Sequence, residues 1–230
     1  ELYDYLIANN KHIFFNADDS IQLDKLSSYV KKFGFSQDNP DNYQIRLVDA
    51  APFVSLEIEG TTINSNLIGA YNFTNLCAAC IIGKYFNIEV STIKSALESY
   101  IPSNNRSQII KKGSNKIILD AYNANPSSMK AALDNLSKLR DQNKIAILGD
   151  MFELGESAAI EHQFVSDYAT KLNLDRVFLV GKNFNAVSSS IDQFESFEDL
   201  KEHLSKEDLN NMTILIKGSR GMALERILEV

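Results

Sequence analysis

The spacing of apolar residues changes twice along this 230-residue chain. Leu2, Tyr3, Leu6 and Ile7 recur at helical intervals, and residues 12–15 form an apolar run that predicts a buried strand ending at Asn16-Ala-Asp-Asp19. Leu23, Leu26 and Val30 lie along one face of a helix predicted over 21–33. The period then falls to two. Residues 43–48, 53–58 and 61–68 carry alternating or β-branched patterns, with turns at Pro52 and Gly60, and predict a small antiparallel sheet with a Gly60-Thr61 hairpin. Gly69-Ala-Tyr-Asn-Phe-Thr-Asn75 opens a helix running to about Phe86, and Ser91 begins another that reaches Tyr100. Pro102-Ser-Asn-Asn105 is short, polar and structure-breaking, so a domain boundary is placed there, dividing 1–103 from 104–230.

Beyond it strand and helix alternate. Strands are predicted at 108–111, 116–119, 144–148, 176–180 and 213–216, and helices near 127–140, 157–172, 197–204 and 222–228. The strands are aliphatic runs without clean alternation, as expected of parallel strands covered on both faces. The fold class is therefore α/β, with a Rossmann-like doubly wound sheet in the second domain. Such sheets bind ligands at the carboxyl edge of their strands. The first strand delivers Asp120-Ala-Tyr-Asn-Ala-Asn-Pro-Ser-Ser-Met129 to that edge, with Asn125 suited to N-cap the next helix and Pro126 to its first turn. The second delivers Gly149-Asp150 and Glu153, the third Gly181-Lys182, the fourth Lys217-Gly218-Ser219-Arg220. The last group, placed before a predicted helix, is expected to form an anion site from two cations and free N–H groups.

Composition narrows the chemistry. A net charge of −7 with dispersed acids argues against a nucleic-acid partner. No apolar run approaches the length of a membrane span and no export signal is visible, so neither membrane insertion nor export is expected and a cytoplasmic location is. The chain starts at Glu1, without Met, inside a predicted helix, which suggests a piece of a longer protein. Cys77 and Cys80 form a C-x-x-C within an apolar helical segment, while His12, His162 and His203 are isolated. Small residues packing a helix account for the cysteines better than metal ligation, and no metal site is expected. His162 reads as a helix-face residue. There is no G-x-G-x-x-G after a strand, no G-x-x-x-x-G-K-[ST] and no credible Ser-His-Asp set.

Four segments carry a resemblance: Asp120 to Met129 as written above, Leu148-Gly-Asp-Met-Phe-Glu-Leu-Gly155, His162, and Lys217-Gly-Ser-Arg-Gly-Met222. They resemble the C-terminal domain of the Mur ligases, ATP-dependent amide ligases of peptidoglycan synthesis, in the branch that adds a D-alanyl dipeptide. The Asp-Asn-Pro-Arg motif of the branch adding diaminopimelate or lysine is not found. Glu1-Leu-Tyr-Asp-Tyr-Leu6 and Phe15-Asn-Ala-Asp-Asp19 resemble the later half of the family's central ATPase domain. Gly69 to Asn75 with Ala78-Ala79 is similar to its G-x-H-N-x-x-N-x-x-A-A segment, with Tyr71 where His is common. Arg106 matches an arginine between the two domains, with Asn105 in place of Gly.

The resemblance implies the later part of a central ATP-binding domain over 1–103 and a Rossmann-like ligase domain over 104–230. It implies ATP and Mg2+ as cofactors, and UDP-N-acetylmuramoyl-tripeptide and D-alanyl-D-alanine as partners of a monomer. Asn72 and Asn75 would bind the nucleotide, Asn75 reaching its adenine, while Arg106 would meet its phosphates and Asp120 its ribose. Tyr122, Asn123, Asn125 and Ser128 would line the substrate cleft. Lys217, Ser219 and Arg220, from their place in the expected anion site and not from the resemblance, are candidates to hold the dipeptide's carboxylate or the developing charge. The phosphate loop, magnesium ligands and a carbamylated lysine would lie upstream of Glu1, leaving no catalytic residue in this fragment, which is expected to be inactive alone. Two alternatives remain open: another ligase of the superfamily, of folylpolyglutamate type, and a small-anion or dipeptide-binding module without catalysis.

Overall fold

The computed structural model describes residues 1–229 and divides into two compact units, Glu1–Tyr100 and Ile101–Val230. In the first unit, α1 (Leu2–Ala8) precedes β1 (Ile13–Asn16), α2 (Ser20–Lys25) and β2 (Lys32–Ser36). Then come β3 (Tyr43–Asp49), β4 (Phe53–Ile58), β5 (Thr61–Ile68), a 3-10 turn at Ala70–Asn72, α3 (Phe73–Tyr85) and α4 (Val90–Ser99). The sheet order is β1-β2-β3-β4-β5, with β1 to β3 parallel and β3 to β5 antiparallel.

Two local expectations shift here. The β4–β5 turn centres on Glu59 and Gly60, both left-handed at φ 50 and 69. The helix predicted over 21–33 is only α2, capped by Asp19, whose carboxylate accepts from the N–H groups of Ile21 and Gln22. Of its supposed apolar stripe only Leu26 is fully buried, and Val30 is 87% exposed. Phe33-Gly34-Phe35 instead adds a strand beside β1. A Cβ on Gly34 would lie 2.4 Å from the Phe15 ring, so the glycine lets that aromatic cover the backbone. The core packs Leu76, Cys77, Cys80 and Ile81 of α3 against Phe35, Ile45, Val54, Leu56 and Ile63. Both thiols are free, and burial holds each well above its usual range, Cys80 pushed up to about 12.

The second unit contains β6 (Gln108–Lys112), β7 (Asn115–Asp120), α5 (Pro126–Lys138), β8 (Lys144–Gly149), α6 (Ala158–Thr170) and β9 (Arg176–Val180). The short α7 (Lys182–Asn185) and β10 (Asp192–Phe194), unforeseen in the sequence, precede α8 (Phe197–Leu204) and β11 (Thr213–Lys217). The sheet order is β10-β9-β8-β11-β7-β6, parallel except for the edge strand β6. Alternate residues of each strand serve different cores. Ile117, Leu119, Ile145, Ile147, Ile214 and Ile216 pack with Phe197, Leu200, Leu224 and Ile227, whereas Ile118, Ala146 and Leu215 are buried on the other face. That is why the strands read as continuous apolar runs.

The helix expected over 222–228 is a pair of 3-10 turns, Arg220–Met222 and Leu224–Glu229, parted by left-handed Ala223 (φ 48, ψ 45). Leu224 and Ile227, three apart, both reach the core, which suits a three-residue period.

Candidate functional site

β11 runs between β7 and β8, so three strand ends lie side by side. In that register Lys217 stands opposite Asp120, 97 residues away in sequence. Its ammonium donates to Asp120 Oδ2 at 2.6 Å and to the Asn123 carbonyl at 3.2 Å. Lys217 was expected to meet a substrate anion; instead its side chain is 2% exposed and is paired internally. Asp120 Oδ1 accepts from Ser107 N–H at 3.1 Å, and its side chain stays 16% exposed. A carboxylate offers about four acceptor sites, so Asp120 retains capacity toward solvent or a hydroxyl.

The turn after β7 is built locally. Asn125 Oδ1 accepts from Ser128 N–H at 2.8 Å, and Ser128 Oγ accepts from Asn125 N–H at 3.0 Å. This reciprocal cap starts α5 with Pro126 in its first turn. Asn125 and Ser128 thus spend their side chains on the cap, and Asn123 Oδ1 accepts from Ala124 N–H at 2.8 Å. Tyr122 points elsewhere. The Arg106 guanidinium carbon lies 3.8 Å from its ring centroid and that of Arg220 5.3 Å away. A hydrogen bond from Arg106, aided by the charges of both arginines, lowers the Tyr122 pKa from its ordinary range. Tyr122, Arg220, Glu225, Asn104 and Asn105 line a cavity of about 430 Å3.

The loop after β8 uses its polar groups differently. Asp150 is buried and accepts from the N–H groups of Asn183 and Phe184, both at 2.9 Å, at the start of α7. Gly181 makes room for it: a Cβ there would sit 2.3 Å from the Asp150 carboxyl carbon. His162 is fully buried in α6. Its Nδ1 faces the Ala158 carbonyl at 2.7 Å and must donate; its Nε2 therefore accepts from Met151 N–H at 3.0 Å. Ser219 Oγ accepts from Phe152 N–H at 2.8 Å, and Ser219 N–H donates to the Asp150 carbonyl at 3.0 Å. Ser219 thereby ties the loops after β8 and β11 together. The turn after Ser219 is one 3-10 turn, so the expected helix N-terminus is missing there. Of the expected anion group Lys217-Gly-Ser-Arg, only Arg220 faces open space.

In the first unit, Asn72 is buried and its Nδ2 donates to the Ile68 carbonyl at 2.8 Å. Asn75 Nδ2 donates to Asn72 Oδ1 at 3.0 Å, which leaves the Asn75 carbonyl oxygen as the acceptor on offer. No group of three or more His, Cys, Asp or Glu suited to a metal ion occurs among the described residues. Sequence reasoning missed Ser107, Glu225 and the anchoring role of Asp150. Only Asp150 lay within a motif, and nothing local separated an anchor from a ligand.

The central strand ends of one open α/β sheet thus bring carboxylate, ammonium, phenol and guanidinium to a single edge. The Mur ligase, glutamate ligase domain family matches residues 105–220, and the chain belongs to the Mur ligase family. It is similar to the UDP-N-acetylmuramoyl-tripeptide–D-alanyl-D-alanine ligase of Bacillus subtilis, 31% identical over 94% of this chain and 50% of that protein. The ligase of the same name from Buchnera aphidicola subsp. Baizongia pistaciae is 34% identical over 71% of this chain and 36% of its own length. The chain thus spans half or less of these relatives. In fold it resembles a MurF ligase from Thermotoga maritima solved with ADP, at TM-score 0.78 and 21% identity, covering 94% of this chain and 52% of that one.

Proposed function

We propose that this chain belongs to the later part of the ATP-binding domain and the C-terminal domain of a ligase joining D-alanyl-D-alanine to UDP-N-acetylmuramoyl-tripeptide. ATP transfers its γ-phosphoryl group to the terminal carboxylate of the tripeptide. The amine of the dipeptide attacks the acyl phosphate, an amide forms, and phosphate leaves. Such chemistry rests on positioning and charge stabilisation. In the second unit Asp120 accepts from the ribose hydroxyls, Arg106 meets nucleotide phosphate, and Tyr122 and Arg220 face the dipeptide. In the first, Asn75, oriented by Asn72, accepts from the adenine. Lys217, Ser219, Asn125 and Ser128 hold these groups in place. Magnesium, expected with the nucleotide, has no ligand set among the described residues, and no step is assigned to it.

The observation that carries the reading is Asp120, fixed between Ser107 and Lys217 at the sheet's carboxyl edge yet still partly open. The names of the relatives supply the substrates. The test is the reaction: the polypeptide carrying this chain, given ATP, Mg2+ and both substrates, should yield UDP-N-acetylmuramoyl-pentapeptide by mass spectrometry. No product, or glutamate addition to a folate instead, overturns the proposal. The 230 residues alone contain no G-x-x-x-x-G-K-[ST] and are expected not to hydrolyse ATP; measurable hydrolysis by the purified chain would contradict that part.

A further inference from the structure

The strand edges of the first unit are closed by its own side chains. Asn64 N–H at the free edge of β5 donates to Glu98 Oε1 at 2.9 Å, and Asn16 N–H at the free edge of β1 donates to Gln22 Oε1 at 3.0 Å. Where β3 outruns β2, Leu47 N–H donates to Gln37 Oε1 at 3.2 Å. In the second unit one edge strand, β10, is only three residues long. Short or covered edges of this kind discourage pairing with another chain. The other edge, β6, is five residues long, and its register shows which groups are open. The two-residue turn Gly113-Ser114 joins it to β7, so Lys112 and Asn115 face each other as a hydrogen-bonded pair. Lys116 N–H points the opposite way, to the Met212 carbonyl at 2.9 Å. Its partner Lys111, and Ile109 two residues earlier, therefore turn their N–H and C=O groups outward. No side chain among the described residues accepts from either N–H.

The side chains say what fits there. Lys111 is exposed and makes no ion pair among the described residues. Its cross-strand neighbour is another cation, Lys116, which is drawn off to Asp141 at 3.1 Å. Like charges directly opposite are unfavourable, and the open side of β6 is where an anion can be supplied. Lys112 adds a second positive charge, while Ile109 and Ile110 are half-buried. A strand laid antiparallel on β6 meets Lys112, Lys111, Ile110 and Ile109 in that order. Opposite charges and apolar pairs across strands are favourable. We propose that β6 is a docking edge for an extended segment of a partner protein, read as two acidic residues followed by two β-branched apolar ones. Main-chain bonds to Ile109 and Lys111 supply affinity, and the side-chain pairs supply specificity. These 230 residues contain no run of two acids followed by two β-branched residues, so a second copy of this chain does not offer that segment. The proposal is independent of the ligase reading.

The probe is the end-capped peptide Glu-Glu-Val-Ile-Thr, added to protein labelled with 15N at Ile and Lys. At saturation, hydrogen exchange of the Ile109 and Lys111 amides should slow about tenfold or more, while Ile110 and Lys112, already bonded to β7, stay unchanged. N-methylation of the peptide's isoleucine, whose N–H faces Ile109, should abolish the effect. N-methylation of its valine, whose N–H points away from β6, should not. Lys111→Glu should weaken the peptide about fivefold, and Glu-Lys-Val-Ile-Thr should then bind the variant more tightly than Glu-Glu-Val-Ile-Thr does. If the two methylated peptides bind alike, the contact is charge alone and the docking edge falls, with no variant needed. If no peptide slows these amides, Lys111 only blunts the edge and the proposal falls. Protection that rises with protein concentration in the absence of peptide gives the edge to a second copy and overturns the acidic segment as its occupant.

Discussion

After β8, Asp150 gives its carboxylate to two N–H groups of α7, His162 takes the N–H of Met151, and Ser219 takes that of Phe152. At the same edge of the same sheet, Arg106 before β6 and Arg220 after β11 lie on Tyr122 after β7, and Glu225 keeps a buried oxygen without a partner among the described residues. Both halves of the rim carry acids, bases and hydroxyls. One half closes all of these groups on itself; in the other, Asn123, Asn125, Ser128 and Lys217 are also spent internally, while Tyr122 and Arg220 face a cavity. Residue type therefore does not separate scaffold from site here; internal satisfaction does. The Asp120–Lys217 pair lies at the seam, buried on the lysine side and open on the carboxylate side.

The sharpest way to break this contrast is to unmake the closed half. Asp150→Ala should cost the second unit about 3 kcal/mol in urea unfolding, because it strands two N–H groups at the start of α7. A loss below about 1 kcal/mol would mean the carboxylate is not the anchor described. A matched pair comes next. Ser219→Ala should cost about 1 kcal/mol, since Phe152 N–H loses its acceptor, while Arg220→Ala should stay within about 0.5 kcal/mol. Equal losses from the two would erase the distinction between the halves. The smallest effect lies in titration. Tyr122 should ionise below the ordinary value of 10.0 in a 295 nm absorbance titration, and Arg106→Ala should return it toward that value. The folded-state value is the lowered one, so any stabilisation accompanies the phenolate. It is complete above the unfolded value and lost as pH falls through the folded one.

Features governed by neighbours in sequence were legible beforehand. The cap of α5 is written in Asn125, Pro126 and Ser128, and the unalternating strands announce a sheet covered on both faces. The buried, unreactive character of Cys77 and Cys80 follows from their apolar helix. Features governed by distant contacts were not legible. The 21–33 segment has helical spacing, yet its last residues, Lys32 and Phe33, pair with β1 as the start of β2. Left-handed Ala223 breaks a segment whose apolar pattern reads as helix. Lys217 beside Gly218 and Ser219 looks like a ligand group until Asp120 arrives from 97 residues away. Glu225 belongs to no motif, and only the cavity singles it out.

The placement of β11 bears on how the second unit is made. β11, the last of its six strands in sequence, is the one on which both β7 and β8 pair. During synthesis those two strands emerge long before their shared neighbour, so the sheet waits as two halves with apolar edges exposed, a state open to chaperones and proteases. Lys217 closes onto Asp120 only when that central strand is inserted. A chain stopped short of Thr213 therefore lacks the middle of this sheet and the ammonium that closes onto Asp120.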